Sequence, residues 1–451
     1  SNIDINGKED LEFFDELDFD EAVDKSTEEH LVNNISSAPV QGLSPRFGLI
    51  NHNSTCYMNS FLAATYNIHS FREAVYNCEP DKVITAMISQ VYAKLQTAKS
   101  PVSTELCLMA ALKKEIKWKF GAFEDNMEFG GRILDMLPQS VKSVFSVSVR
   151  TNFYLEDRTD VLLKTKDVNH DSIIIMPVFR SISDAIESRF RNNVSYIVEN
   201  AEFSEYEGKI EPFTGKNKSF ATISEESIVN RPEILIFSIG RKQLEAEFDE
   251  TPMELDFEIT LPGLEENSEP VRYILQSFCY HVPGHYASYV RDFSVDLGGL
   301  EGLWYHYNDS NVSVVGNHSD FQILKKRANT GATLAFYVRS DRIVTRASYR
   351  EPEIPEKVMR LAKLFLALEE VKNHNAALIT EKMNKQHHSP SAPTVDKLSS
   401  LKSLDNSPSI LISSGPSNDD DKKKQRSKNL PNSTIDNFFS NFPLNENYFF
   451  T

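Results

Sequence analysis

Cys56 and His285 are the two side chains whose surroundings best suit covalent chemistry. Around the first, the chain reads Gly48-Leu-Ile-Asn-His-Asn-Ser-Thr-Cys-Tyr-Met-Asn-Ser60. Thr55 is placed to cap a helix running through Met58, Phe61, Leu62 and Tyr66, which puts Cys56 in its first turn. Unpaired N–H groups and the positive end of the helix dipole there stabilise a thiolate, so a lowered thiol pKa is expected. The bland alternative for a lone cysteine is a small buried apolar side chain. The polar loop Asn51, Asn53, Ser54, Thr55 suits a core badly and favours the nucleophile. Asn51 can offer its amide NH₂ to the oxyanion that forms when a thiolate attacks a carbonyl.

The second segment is Tyr280-His-Val-Pro-Gly-His-Tyr-Ala-Ser-Tyr-Val-Arg291, followed by a connection and Trp304-Tyr-His-Tyr-Asn-Asp-Ser-Asn-Val312. Two strands joined around Asp296–Gly299 form a hairpin whose centre lies between residues 296 and 297. That symmetry sets His285 beside Asn308. His285 then takes the proton of Cys56, and Asn308 accepts from the other ring nitrogen and fixes the tautomer. Strand alternation sends Asn308 and Asp309 to opposite faces, so Asn308 is the orienting group and Asp309 a second polar contributor near the oxyanion. His281 and His306 read as structural or surface residues. Tyr286, Tyr289 and Tyr307 would ordinarily be strand residues of the core.

Two segments this far apart need a folded scaffold. The chain has 451 residues, 40% hydrophobic and 25% charged, which suits a globular protein of roughly two to three domains. Helical spacing dominates from about 55 to 137, including 80–97 and Met127–Leu137. Strand patterns follow: Val144–Thr151, Ser172–Phe179, Glu233–Ile239, Glu254–Thr260, Tyr273–Tyr280, Tyr286–Arg291, Leu303–Tyr307 and Thr333–Arg339. Helices followed by strands give an α+β domain over 42–341. Residues 1–41 are an acidic, aromatic-punctuated extension read as disordered. A helix over 352–378 carries Ile354, Val358, Leu361, Phe365 and Leu368 at heptad-like spacing and docks on the domain. Residues 385–451 form a Ser/Asn/Pro/Lys-rich disordered tail.

The net charge of −17 argues against a nucleic-acid partner. Four widely spaced cysteines without a C-x-x-C pair indicate neither a zinc ribbon nor a disulfide framework, and fit a reducing compartment. No apolar run is long enough to span a bilayer and no secretory signal is visible, so no membrane partner is expected. The chain opens with Ser1, which reads as a fragment or a processed product.

Together the segments resemble the ubiquitin-specific proteases, a papain-like cysteine protease family. Gly48, Leu49, Asn51, Thr55, Cys56, Tyr57, Met58, Asn59 and Ser60 match the family's cysteine box. Gly284, His285, Tyr286 and Tyr289 match its G-H-Y-x-x-Y box, and Trp304, Asn308, Asp309 and Val312 its W-x-x-x-N-D-x-x-V ending. Weaker similarity lies at Phe123–Phe129, Arg231–Phe237 and Ala335–Arg339. The resemblance implies a right hand of thumb, palm and fingers that grips ubiquitin, with the ubiquitin tail in a cleft between thumb and palm. It implies a thiol-dependent deubiquitinase that hydrolyses the bond after ubiquitin's C-terminal glycine in ubiquitin–protein conjugates. Asn51 becomes the oxyanion residue, and Asp125 and Tyr286 line the tail channel, where an acid suits the arginines of that tail. Ubiquitin and ubiquitinated proteins are the implied partners, in cytoplasm and/or nucleus. A catalytically weak ubiquitin-binding scaffold and a protease for a ubiquitin-like modifier are the alternatives.

Four departures stand out. Asn53 replaces the family's glycine, though Asn tolerates a left-handed backbone. Phe123 and Glu124 stand where the family has two glutamines. The fingers lack paired cysteines for zinc, so no metal or other cofactor is expected. The loop from His281 to Gly284 is short. Outside the domain, Asp18–Glu29 resembles a ubiquitin-interacting helix, which makes residues 15–29 a candidate second ubiquitin contact. The basic run from Lys422 to Lys428 reads as a solvated tail rather than a nuclear signal.

Overall fold

The computed structural model describes residues 46–387, leaving out 80–81, 122–123, 156–157, 192–193, 199–219, 242–247, 265–267, 295–301 and 346. The acidic extension, the contact proposed at 15–29, the residues beyond 387 and the hairpin connection at Asp296–Gly299 lie outside the described residues. In chain order the helices are α1 (Cys56–Tyr66), α2 (His69–Asn77), α3 (Val83–Gln96), α4 (Ala110–Ile116), α5 (Asn126–Met136) and α6 (Gln139–Lys142). Strands β1 (Val147–Leu155), β2 (Arg158–Asp171) and β3 (Ile174–Met176) follow, then α7 (Ile182–Arg191). Next come β4 (Val194–Val198), β5 (Phe220–Ile228), β6 (Ile234–Ile239), β7 (Glu258–Leu261), β8 (Val271–Val282), β9 (His285–Asp292), β10 (Leu303–Asn308) and β11 (Asn311–Val314). The described chain ends with α8 (His318–Gly331), β12 (Ala332–Arg339) and α9 (Glu356–His387).

The architecture is α+β. One sheet orders its strands β11-β10-β9-β8-β12-β6-β3, with β7 pairing β8, and only its β3–β6 contact is parallel among the described residues. A second, four-stranded sheet runs β2-β1-β5-β4.

Helix α1 explains how a thiol is held still. From Cys56 to Thr65 every residue is buried, the signature of a helix surrounded by protein rather than lying on a surface. Phe61 meets Phe129 of α5 edge-on at 5.8 Å and Phe336 of β12 at 6.2 Å. Tyr57 packs on Phe129 and accepts a 2.8 Å hydrogen bond from Trp118 Nε1. The first residue of α1 is thereby fixed against the large sheet by its own helix's packing.

Helix α9 docks as expected, but it runs to His387 rather than ending near 378. Val358, Ala362 and Phe365 are buried, whereas Leu368 is 38% exposed. The stripe read from the sequence thus leaves the interface at its last member.

The hairpin of β9 and β10 is offset from the expected register. Leu303 pairs with Asp292 and Tyr307 with Ser288, which puts the centre between 297 and 298. His285 therefore lies beyond the β9–β10 ladder, and its meeting with Asn308 is made by side chains alone.

Candidate active site

The loop before α1 is organised by its own side chains. Asn53 and Ser54 both take left-handed backbone, with φ of 51° and 62°. Such a turn is tolerable for Asn and strained for Ser, at about 1 kcal/mol. Asn51 Oδ1 accepts from Thr55 N at 2.9 Å and from the Thr55 hydroxyl at 3.3 Å, while His52 N donates to Thr55 Oγ1 at 2.9 Å. Thr55 precedes the helix as expected, but its side chain serves the loop and caps no helix N–H. The N–H groups of Cys56 and Tyr57, with that of Tyr286 on β9, are left to stabilise the sulfur.

These donors do not win. Burial pushes the Cys56 thiol up to about 11, outweighing the Tyr286 N–H, and the Asp309 carboxylate adds to the rise. The expected lowering by the helix terminus is thus overturned for the unliganded protein: desolvation of a side chain only 2% exposed exceeds the dipole's effect. The resting species is a neutral thiol. Alkylation of Cys56 by iodoacetamide, followed by peptide mass mapping, should accelerate with pH up to about 11. A rate that levels off near neutrality would contradict this. The linked stability effect has a definite sign. A folded-state pKa above the ordinary value of 9.0 means the unfolded chain loses this proton first. The contribution is therefore intact below about pH 9 and declines between about 9 and 11.

The imidazole is positioned from the sheet. His285 opens β9, next to Tyr286, whose N–H faces the Cys56 sulfur. Its Nε2 lies 2.6 Å from Asn308 Oδ1. An amide oxygen can only accept, so Nε2 carries the hydrogen and Nδ1 is left with the lone pair of a base. Asn308 ends β10, and Asp309–Ser310 turn the chain into β11, where Asn308 pairs with Asn311. Asp309 has φ of 49°. Its departure from Asn308's direction therefore comes from a tight turn rather than from strand alternation.

Asp309 is the organiser on the other side of the site. Its Oδ2 accepts from Asn51 Nδ2 at 2.9 Å and its Oδ1 from Asn59 Nδ2 at 2.8 Å. Its carbonyl accepts Leu49 N at 2.9 Å. Asn51 is thus fixed at both ends of its amide, with one N–H hydrogen left over. Asn59, three residues after Cys56 and buried, was not singled out as a site residue. The signal was its place one helical turn beyond the thiol, where an amide is costly unless it has a task. Gly48 belongs here too: a Cβ on it would lie 1.9 Å from Asp309 O. Gly48→Ala must displace the 308–310 turn. It should cost about 1–3 kcal/mol, the range for overpacking, and lower turnover further. Chemical denaturation and steady-state kinetics measure the two effects.

Asp125 has a structural task of its own. Its side chain caps α5, with Oδ1 accepting from Met127 N at 2.7 Å and Glu128 N at 3.3 Å, and Oδ2 accepts from Tyr286 OH at 3.4 Å. Tyr286 is buried, and burial followed by the Asp125 carboxylate drives its phenol far above the ordinary range. Phe123 lies outside the described residues. His306 is structural, as read. Its Nε2 meets Tyr280 OH at 2.8 Å, its ring stacks on Tyr289, and burial with nearby His285 lowers its pKa to about 4. Among the described residues no group of His, Cys, Asp and Glu is arranged to hold a metal ion, and no helix is long and apolar enough to cross a membrane.

A thiol at a helix start faces the N–H of the residue that follows a strand-borne imidazole, and that imidazole is held by an amide, an arrangement that fits the papain-like cysteine protease class. The model of the ubiquitin carboxyl-terminal hydrolase family matches residues 47–337, and the chain belongs to that family. Curated relatives include ubiquitin carboxyl-terminal hydrolase 5 of Schizosaccharomyces pombe, 25% identical over an alignment of 313 positions that covers 59% of this chain and 25% of that protein. Ubiquitin carboxyl-terminal hydrolase 15 of the same yeast is 24% identical over an alignment of 300 positions that covers 59% of this chain and 24% of the relative. Ubiquitin carboxyl-terminal hydrolase 7 of Caenorhabditis elegans is 33% identical over 134 residues, 28% of this chain and 11% of the relative. The chain thus spans about a quarter of the length of the two yeast relatives.

Proposed function

We propose that this protein is a thiol-dependent deubiquitinase that hydrolyses the bond after the C-terminal glycine of ubiquitin in ubiquitin–protein conjugates. The observation that carries the reading is the His285–Asn308 pair next to the Tyr286 N–H that faces Cys56, within a domain of this family. In this mechanism His285 Nδ1 takes the Cys56 proton as sulfur attacks the glycine carbonyl. The remaining Asn51 N–H and the Cys56 backbone N–H receive the oxyanion. The imidazolium then protonates the departing lysine amine, leaving a thioester. His285 next activates water, and hydrolysis frees the ubiquitin carboxylate and the thiol.

The domain takes the right-handed grip of thumb, palm and fingers, with the ubiquitin tail running past Asp125 and Tyr286. The Asp125 carboxylate, held in place by the α5 cap and Tyr286 OH, is the charge suited to a guanidinium of the tail. A neutral resting thiol fits a site that acquires its reactive form once substrate is bound. Ubiquitin carrying a C-terminal fluorogenic amide tests the activity. Turnover by the wild type that disappears in Cys56→Ser supports the reading. An inactive wild type, or unchanged turnover in the variant, refutes it. Faster release from a ubiquitin-like modifier than from ubiquitin would reassign the substrate and leave the chemistry standing.

A further inference from the structure

Helix α9 lies outside the family-matched residues 47–337, yet its polar side chains reach toward the nucleophile loop. Lys94 of α3 is fully buried, and its Nζ donates to Glu369 Oε1 on α9 and to Ser103 O, both at 2.5 Å. Lys372, one turn further along α9, pairs with Glu105 Oε1 at 2.6 Å. The segment 102–105 is therefore gripped twice by α9, once directly and once through Lys94.

That segment also runs beside the nucleophile loop. Val102 N donates to Gly48 O and Ile50 N donates to Val102 O, each at 2.9 Å. Ser103 Oγ lies 2.9 Å from His52 Nε2, and Glu105 Oε2 lies 3.8 Å from His52 Nδ1. His52 in turn donates its backbone N–H to Thr55 Oγ1, the hydroxyl that bonds to Asn51 Oδ1. A continuous polar path joins α9 to the amide assigned to the oxyanion.

We propose that α9 is an intramolecular clamp on the nucleophile loop, and that His52 is the positioning residue through which it orients Asn51. The assignment rests on the reading of Asn51 given under Proposed function. The clamp has chemical sense. Glu369 and Lys372 together compensate a buried lysine and an acid at the loop's edge, so the loop is held best when α9 is docked. His52 touches no reacting atom. It acts by keeping the 51–55 turn at one distance from segment 102–105, and a displacement of about 1 Å at an oxyanion donor is enough to cost up to about a hundredfold in rate.

The test uses the full chain and ubiquitin with a C-terminal fluorogenic amide. Lys372→Ala, Glu105→Ala and the double variant report the clamp, all at partly exposed positions that leave the core untouched. His52→Ala and His52→Gln report the transmission. Arg360→Ala, which removes an exposed pair with Glu356 on the same helix, is the control. The clamp predicts a kcat about five- to tenfold lower in each single variant of the pair, with KM within about twofold. It predicts a double variant no worse than either single one, because both changes break one path. His52→Ala should lose about tenfold in kcat, and His52→Gln, which can still reach Ser103 Oγ, should recover most of it. Arg360→Ala should match the wild type. Unchanged kcat in Lys372→Ala, single losses that multiply in the double variant, or a loss confined to KM would overturn the clamp while leaving the enzyme reading intact. A wild type without turnover would overturn the reading of the site and the clamp with it.

Discussion

His285→Ala is expected to lower kcat/KM on a ubiquitin conjugate by at least about 10⁴-fold, the scale of losing one member of a triad. The thiol accounts for most of that figure. Burial keeps the resting thiol neutral, its pKa pushed up to about 11, so the sulfur can attack at neutral pH only if a base removes its proton as the bond forms. The same imidazole supplies the proton that the departing amine needs, so a second factor follows. The ring acts in the chemical step, so KM should change little. Asn308→Ala should cost less, because the imidazole survives and loses only its 2.6 Å acceptor. Rapid-quench measurement of acyl-enzyme formation distinguishes these effects from slow product release. A His285→Ala protein within about tenfold of wild type would exclude the imidazole as the base.

Asp309→Ala is expected to lower kcat by about 10²–10³-fold, the range for losing an oxyanion donor. Two effects oppose each other. Removing the carboxylate takes away a charge that raises the Cys56 thiol, which favours ionisation. It also releases the amides of Asn51 and Asn59, at 2.9 and 2.8 Å. The charge ranks below burial and the Tyr286 N–H among the influences on the sulfur, whereas the amides depend on Asp309 directly, so positioning wins. The variant should therefore alkylate at lower pH than the wild type while turning over far more slowly. Asp309→Asn separates backbone from side chain: it accepts the left-handed φ of 49° as readily as Asp and retains one acceptor oxygen. Its loss should be smaller than that of Asp309→Ala. Equal losses in the two would mean that the charge, not the hydrogen-bond geometry, matters.

Much of this site could be read from residue order because cysteine, histidine and asparagine each carried a local signal. Cys56 followed a polar loop and opened a helical pattern. His285 and Asn308 stood on either side of one strand connection. What could not be read was the competition between forces. A helix terminus lowers a thiol pKa in isolation, but burial of α1 on every side reverses the sign, and burial is a property of the fold. Thr55 has a cap's identity, yet the left-handed pair Asn53–Ser54 turns the loop back on its hydroxyl. The hairpin centre lies one position later because the register is set by backbone pairing, Leu303 with Asp292, rather than by the midpoint between the two motifs, which is all that counting residues can supply. Strand β2 escaped because Arg158-Thr-Asp-Val-Leu-Leu-Lys-Thr-Lys-Asp-Val-Asn-His-Asp171 has no apolar alternation to mark a buried face. Helices α7 and α8 do carry helical spacing, at Ile182, Ala185, Ile186 and Phe190 and at Phe321, Leu324 and Ala328, but each stripe is short and lies among strand patterns. The network from α9 to His52 joins residues more than three hundred positions apart, which no local pattern can announce.

The central claim is that one sulfur, brought beside His285 by folding, attacks the carbonyl at the end of ubiquitin. Ubiquitin bearing a thiol-reactive electrophile in place of its last glycine tests this directly, with the adduct digested and its modified residue located by mass spectrometry. The account predicts a single ubiquitin attached at Cys56, with none on Cys78, Cys107 or Cys279. Attachment at another cysteine, or none at all on a folded protein, would contradict it.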